Sequence, residues 1–405
     1  MTAVGPRLGI LGGGQLARML AESAMRHGLR VAVLAEAADA PAAIPGVDLV
    51  LGALDEPAAL EALAARCDVL TVENEFLDLD RLGAVVARHP SVHLHPSRPA
   101  IALAQDKLEQ KRVFSRLGIP TAEYTLVRVA SLDDDLRRAA GRFPGGFVLK
   151  WSRFGYDGRG NRVVGRPGAA ERDAIAEFCR AGEAAGATIY AERRVDFAAE
   201  VAMVSTRAHD GRQVFFPLVV SRQDHGVCRE VFGPATAFGV AADIERDVAG
   251  HMAALATDLD YCGTFAVEWF IDRDGALLAN EMAPRVHNTG HYTLFGDEPS
   301  QFDLHVQAVT GRPLSAPAVR DPFVMRNLLG PFSLRGAHPC PAPSEPPPAG
   351  TLLYWYDKRT VSAGRKMGHL TGRAAIAGAI ERMRDALRDY ERRFWAGLSF
   401  ERQGT

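Results

Sequence analysis

Apolar positions in the first third of the chain switch between two periods. Residues 8–11 form a short continuous apolar run suited to a buried parallel strand; past Gly12, Gly13 and Gly14, the residues Leu16, Met19 and Leu20 recur at helical spacing. Apolar runs at 30–34 and 68–72 alternate with a helical stretch at 57–65, the order expected of a doubly wound parallel sheet over residues 1–100. Two prolines in HPSRPA, residues 95–100, mark its end, and the spacing then predicts one amphipathic helix over 101–117, closed by Gly118 and Pro120. Within a second unit, 101–185, the segments FVLK at 147–150, SRFGYDGRGN at 152–161 and RVV at 162–164 read as strand, glycine-rich loop and returning strand. Strand runs near 201–206, 214–220, 264–271 and 276–280, with helices near 244–259 and 301–310, predict an α+β region over 186–320. A last small unit, 321–405, contains the proline-rich, extended PCPAPSEPPPAG at 339–350 and a charged helix around 374–394. There is no internal repeat.

The bulk properties narrow the function classes. With 405 residues, 47% hydrophobic and 24% charged, the chain has the composition of a soluble protein of several compact domains. Lys plus Arg total 47 against 49 Asp plus Glu, so no global field favours nucleic acid or an anionic membrane, and any anionic ligand must be met locally. The five cysteines, Cys67, Cys179, Cys228, Cys262 and Cys340, are far apart in sequence and not in metal-ligand spacing; reduced thiols and a cytoplasmic location are expected. The N-terminal apolar run is interrupted by Arg7 and Arg18 and reads as neither signal peptide nor membrane span.

Chemistry gathers at a few places. Gly12, Gly14 and Ala17 satisfy G-x-G-x-x-A, and Glu36 ends a second apolar strand about where a ribose-binding carboxylate stands in a nicotinamide enzyme. A close-packed first turn, or another phosphate ligand, accounts for the same glycines. Glu268 in FAVEWFID and Glu281 in LLANEMAPR flank the turn DRDG; paired as a hairpin, the two carboxylates face one another and suit Mg²⁺, with Asn280 adding an oxygen. An acid on a strand is otherwise a solvated edge residue, but the apolar neighbours here argue for a matched charge. Lys150, at the end of an apolar strand before the glycine-rich loop, suits a nucleotide phosphate, or is a solvated strand end.

Together these stretches resemble the ATP-grasp superfamily, and within it the N5-carboxyaminoimidazole ribonucleotide synthetases of purine biosynthesis. The resemblance runs in order through GILGGGQLARM at 9–19, QDKLEQK at 105–111, GYDGRGN at 155–161, NEMAPRVHNTGH at 280–291, SQFDLH at 300–305 and GRKMGH at 364–369. It implies an ATP-grasp fold behind an N-terminal parallel-sheet domain, and ATP-dependent carboxylation of 5-aminoimidazole ribonucleotide by bicarbonate through carboxyphosphate. Lys111 and Lys150 are then the phosphate lysines, Glu192 begins the adenine-binding connection, Glu200 holds the ribose, and Mg²⁺ lies between Glu268 and Glu281. The loop residues Gly155, Tyr156, Asp157, Gly158, Arg159 and Gly160 close over the phosphates, with Asp157 and Arg159 among the catalytic groups. Arg285 and His287 meet bicarbonate or carboxyphosphate. Gln15, Glu73, Glu75 and Asn288 serve the acceptor, and Lys358, Arg365 and Lys366 its phosphate. A homodimer is implied.

Several positions depart from the family pattern: Val72 and Phe76 in TVENEF, Phe154 and Asn161 around the loop, and Asp357 beside Lys358. They leave open an ATP-grasp ligase acting on another amine. A nicotinamide-dependent oxidoreductase is a third reading, though it leaves the paired glutamates without a role.

Overall fold

The structure, a computed structural model, describes residues 5–155, 160–165, 169–296 and 298–398. The first sheet comprises β1 (Arg7–Leu11), β2 (Arg30–Ala35), β3 (Val47–Leu51), β4 (Val69–Val72) and β5 (His93–Leu94), all parallel in the order β3-β2-β1-β4-β5. The strand order reverses at β1, so the crevice beyond β1 and β4 is where such a sheet binds ligands. Helices α1 (Gln15–Arg26), α2 (Pro57–Ala64) and α3 (Leu79–Arg88) cover the sheet.

The single helix expected over 101–117 is two helices, α4 (Arg98–Gln105) and α5 (Lys107–Arg116). Asp106 divides them: its extended backbone ends α4, and its carboxylate accepts from the amides of Leu108 and Glu109 to start α5. Apolar periodicity alone does not register such a break. A four-stranded antiparallel sheet follows, β6 (Tyr124–Val127), β7 (Phe147–Trp151), β8 (Asn161–Val164) and β9 (Ile189–Arg193), with α6 (Leu132–Arg142) and α7 (Ala169–Ala184).

All but two of the remaining strands build one large antiparallel sheet. β10 (Phe197–Arg207), β11 (Gln213–Phe215), β12 (Val219–Asp224), β13 (Val227–Gly233), β14 (Gly263–Asp272), β15 (Leu277–Ala283) and β16 (Phe323–Leu329) belong to it; β17 (His338–Pro339) pairs separately with β19 (Thr360–Val361), and β18 (Thr351–Trp355) and β20 (Lys366–Arg373) complete it. The order β15-β14-β10-β12-β13-β16-β20-β18 makes the C-terminal unit a continuation of the central sheet. The expected strand at 214–220 is two strands, because Pro217 interrupts the ladder. Helices α8 (Ala242–Asp258) and α10 (Ala377–Ala396) cover this sheet over a core that includes Trp269, Phe265, Met252, Leu387 and Tyr390. Helix α9 (Gln301–Val309) is capped by Ser300, whose hydroxyl and Asp303 form a reciprocal capping box.

Two contacts fix how the parts sit together. α1 packs Leu16, Met19 and Leu20 into one apolar cluster with Phe302, Val306 and Val309 of α9, and Ser23 donates to Asp303 at 2.5 Å. At the other end, buried Glu230 of β13 accepts from Arg384 of α10 at 2.9 and 2.6 Å and from Arg326 of β16 at 3.3 Å, while Glu391 of α10 accepts from Arg326 and Arg229 at 2.7 and 2.6 Å. Among the described residues no helix is long and apolar enough to cross a membrane.

Candidate active site

The hairpin β14–β15 sets Glu268 directly opposite Glu281, with a register shift just after Glu268. β10 runs beside β14 with Ala202 opposite Glu268, so Glu200, two residues away, points to the same face. Three carboxylates therefore converge. Burial, with Glu281 and Glu200 nearby, pushes Glu268 up to about 8, and burial lifts Glu200 to about 7. Glu281 behaves oppositely: burial opposes its ionisation, but the Lys107 ammonium paired with it outweighs that and holds it below the usual carboxylate range. Three carboxylates gathered where burial disfavours their charge are a donor set for a hard divalent cation, and the oxygen-only chemistry fits Mg²⁺.

Three lysines stand around the carboxylates. Lys150, at the end of β7, lies 2.6 Å from one oxygen of Glu192 on β9 and donates to Asn280 at 3.3 Å. Lys111 contacts the other Glu192 oxygen at 2.6 Å, and also donates to Thr121 and the Ala122 carbonyl at 2.8 and 3.1 Å. At 2% exposed, with these three acceptors around it, Lys111 ties α5 to Glu192 at the base of the cleft. The lysine that reaches the carboxylates is Lys107, one turn earlier on α5. It went unassigned in the sequence, although its i,i+4 spacing from Lys111 places both on one helix face. Glu192 is one residue from the end of β9, just ahead of the connection to β10. Gly155 and Gly160 frame the loop, and the Gly160 carbonyl accepts from Trp151 at 2.9 Å; Tyr156, Asp157, Gly158 and Arg159 lie outside the described residues.

Arg285 is half-buried and clamped by Glu75, whose oxygens accept from Nε and Nη2 at 2.7 and 3.2 Å. The pair links Glu75 of the first domain to the segment after β15. His287 Nδ1 accepts from the Thr289 amide at 3.4 Å and lies 2.8 Å from its hydroxyl; Nε2 is 3.9 Å from Glu268. Burial, with Arg285 and Lys366 nearby, lowers His287 to about 3, so it is neutral at physiological pH. Asn288 exchanges two amide hydrogen bonds with buried Asn327, at 3.0 and 2.7 Å, which ties it into β16.

The glycine turn opens onto a cleft of about 530 Å³ at the switch point, lined by Gly12, Gly13, Gly14, Glu73, Lys358 and Arg365 among others. Gly12 has φ of 110°, and a Cβ at Gly13 or Gly14 would collide with Ala35 or Glu73. The Glu73 carboxylate accepts from the Gly14 amide, and burial raises it to about 7. An acid already seated on that amide disfavours a dinucleotide pyrophosphate there. Gln15 follows at the first position of α1. Lys358 donates to the Lys366 carbonyl at 2.7 Å, and the Lys366 charge lowers the pKa of Glu268 and His287, joining this cleft electrostatically to the carboxylates.

Most departures from the family pattern have local explanations. Val72 is buried in β4, Asp357 is paired with Arg18, and Asn161 lies opposite Lys150 in the β7–β8 ladder. Phe76 and Phe154 line a second cleft of about 940 Å³ with Arg98 and Arg153.

Residues 112–302 match the ATP-grasp domain, residues 6–105 the ribonucleotide synthetase preATP-grasp domain, and residues 324–382 the phosphoribosylaminoimidazole carboxylase C-terminal domain. The N5-carboxyaminoimidazole ribonucleotide synthase of Synechococcus elongatus is 35% identical over 388 residues, 95% of this chain and 94% of the relative. The chain belongs to the N5-carboxyaminoimidazole ribonucleotide synthase family. It is thereby an ATP-dependent ligase of the ATP-grasp fold, as its motifs implied. Among solved structures, the synthase of Aspergillus clavatus complexed with ATP is similar at TM-score 0.82 and 31% identity, covering 96% of this chain and 99% of that one. The Aspergillus clavatus enzyme in complex with ADP and 5-aminoimidazole ribonucleotide gives 0.81 and 30% over the same shares.

Proposed function

We propose that the chain joins bicarbonate to the amine of 5-aminoimidazole ribonucleotide at the expense of ATP, with ATP in the cleft between Lys150 and the carboxylates and the acceptor over the glycine turn. The observation that carries this reading is the junction of the two clefts: Lys366 is felt by Glu268 on one side and bonded through its carbonyl to Lys358 on the other. Glu268 and Glu281, with Glu200 beside them, would hold Mg²⁺, which neutralises charge on the phosphates when bound. Lys150 adds positive charge across from them, and Lys107 adds it directly beside Glu281. A bicarbonate oxygen attacks the γ-phosphorus and ADP leaves; the acceptor nitrogen then attacks the carboxyl carbon of carboxyphosphate, the C–O bond to phosphate breaks, and the nitrogen loses a proton. Arg285, oriented by Glu75, stabilises the anionic intermediate, and neutral His287 offers an N–H beside it. Gln15, Glu73 and Asn288 frame the acceptor, and Lys358 and Arg365 take its phosphate. The reading includes Asp157 and Arg159 in the loop over ATP and a homodimer, which rest on the family resemblance, and a cytoplasmic location, which rests on the cysteine pattern.

The test is ADP release with Mg²⁺, ATP and bicarbonate, with and without 5-aminoimidazole ribonucleotide, together with product identification. Strong stimulation and a labile carboxylated product are expected. ADP release indifferent to this acceptor would point to another amine.

A further inference from the structure

Away from the carboxylates, three side chains that the proposed reaction does not use converge from three segments. His95 follows β5 of the first sheet, His209 lies in the turn between β10 and β11, and Cys262 immediately precedes β14. One ligand atom from each lies within 4.8 Å of the other two. The His95 and His209 rings meet edge to face with centroids 4.4 Å apart. Cys262 is six residues before Glu268, roughly 20 Å along an extended strand, so this cluster is separate from the active centre. We propose that His95, His209 and Cys262 form a transition-metal site of the zinc class that pins the N-terminal domain to the central sheet.

The donor set selects the metal. One thiolate with two imidazoles suits Zn²⁺ or its spectroscopic substitute Co²⁺ and not Mg²⁺. With metal–nitrogen and metal–sulfur bonds of ~2.0 and ~2.3 Å, tetrahedral donors stand roughly 3.3–3.7 Å apart, so closing the site takes about 1 Å of movement. His209 is exposed on a turn and free to supply it. Neighbouring His305 is not a fourth ligand: its Nδ1 accepts from the Thr264 amide at 3.0 Å and its Nε2 bonds the Thr71 hydroxyl at 2.7 Å. The fourth position falls to water. Burial keeps the Cys262 thiol protonated until about pH 12 and His95 neutral down to about pH 4. Binding therefore breaks the sulfur–hydrogen bond, forms a sulfur–metal bond and passes one proton to solvent, with no electron transferred.

The full-length protein, stripped by a chelator, is titrated with Co²⁺ and then Zn²⁺ at neutral pH. Expected are one saturable equivalent with a thiolate-to-cobalt charge-transfer band and tetrahedral visible bands, displacement by Zn²⁺, and release of one proton by calorimetry in buffers of different ionisation heat. Cys262→Ser should abolish the thiolate band. His209→Ala, on an exposed turn, should weaken binding at least tenfold while ATP turnover is unchanged. A wild-type titration without a thiolate band, a band of equal strength in Cys262→Ser, or unaltered affinity in His209→Ala would each overturn the proposal.

Discussion

Glu268 and Glu281 face one another across a hairpin and yet ionise on opposite sides of the usual carboxylate range, because only Glu281 has a lysine against it. Cation binding must therefore displace protons from Glu268 and Glu200. Apparent Mg²⁺ affinity should rise between pH 6 and 8.5 as groups near 8 and 7 deprotonate, and Glu268→Gln should flatten that rise; a pH-independent affinity in calorimetry would contradict the assignment. Glu281→Gln removes one ligand and frees Lys107, and should lower ATP turnover by on the order of a hundredfold or more with the fold intact. Near-normal turnover would remove Glu281 from the metal site. At this scale the sequence was informative where two residues are close along the chain or on paired strands, as with Glu268 and Glu281. It was silent where a partner comes from a distant segment: that Glu75 is taken by Arg285, and Lys111 by Glu192, depends on contacts 210 and 81 positions apart, which no periodicity encodes.

Elements were legible in proportion to the length and purity of their apolar pattern. β14 and α9 were read nearly to their ends and β15 to within three residues, whereas the break at Asp106 and the interruption at Pro217 were missed. In both cases a local backbone device overrode a continuous apolar rhythm, and both are recognisable afterwards as a cap and a missing ladder donor. The element with the widest influence is α9, which carries Phe302 in a core shared with α1. Phe302→Ala should cost about 3–5 kcal/mol in urea denaturation. It should also raise the acceptor KM more than the ATP KM, because α1 begins at the glycine turn. Equal changes in both constants would argue against that transmission.

For the whole molecule, titration is set by buried groups. His287, His305 and His369 are lowered to about 3 by burial and His95 to about 4, and burial also holds His291 well below the usual histidine range. Folded histidines that stay neutral while unfolded ones protonate near 6.5 make unfolding take up protons, so stability falls as pH drops below 6.5. Glu73, Glu200 and Glu268 are raised to between about 7 and 8; their contribution is present below the unfolded value near 4.5 and is lost as pH rises through 7–8. Five histidines outweigh three carboxylates on the acid side, giving a slope of up to about 2–3 kcal/mol per pH unit. The metal-free protein should be most stable near pH 6.5–7, and Mg²⁺ should flatten the alkaline arm; urea midpoints across pH 5 to 8.5 with and without Mg²⁺ would expose a profile that is flat instead. The sequence conveyed the kinds of layer and their order along the chain. Their docking was not readable, because the surfaces that meet, α1 against α9 and Glu75 against Arg285, are each an ordinary apolar stripe or a charged side chain until the fold brings them together.

The network of Glu230, Arg326, Arg384 and Glu391 has a consequence for how the molecule comes into being. A ribosome delivers Glu230 more than 150 residues before Arg384, the arginine that makes two of its contacts. Until β20 and then α10 emerge, the nascent central sheet holds an open edge at β16 and an acid with no full counter-charge. The enzyme cannot be finished from its N-terminus forward: its early strands must wait, tolerant of water, for the last helix to leave the exit tunnel and close them.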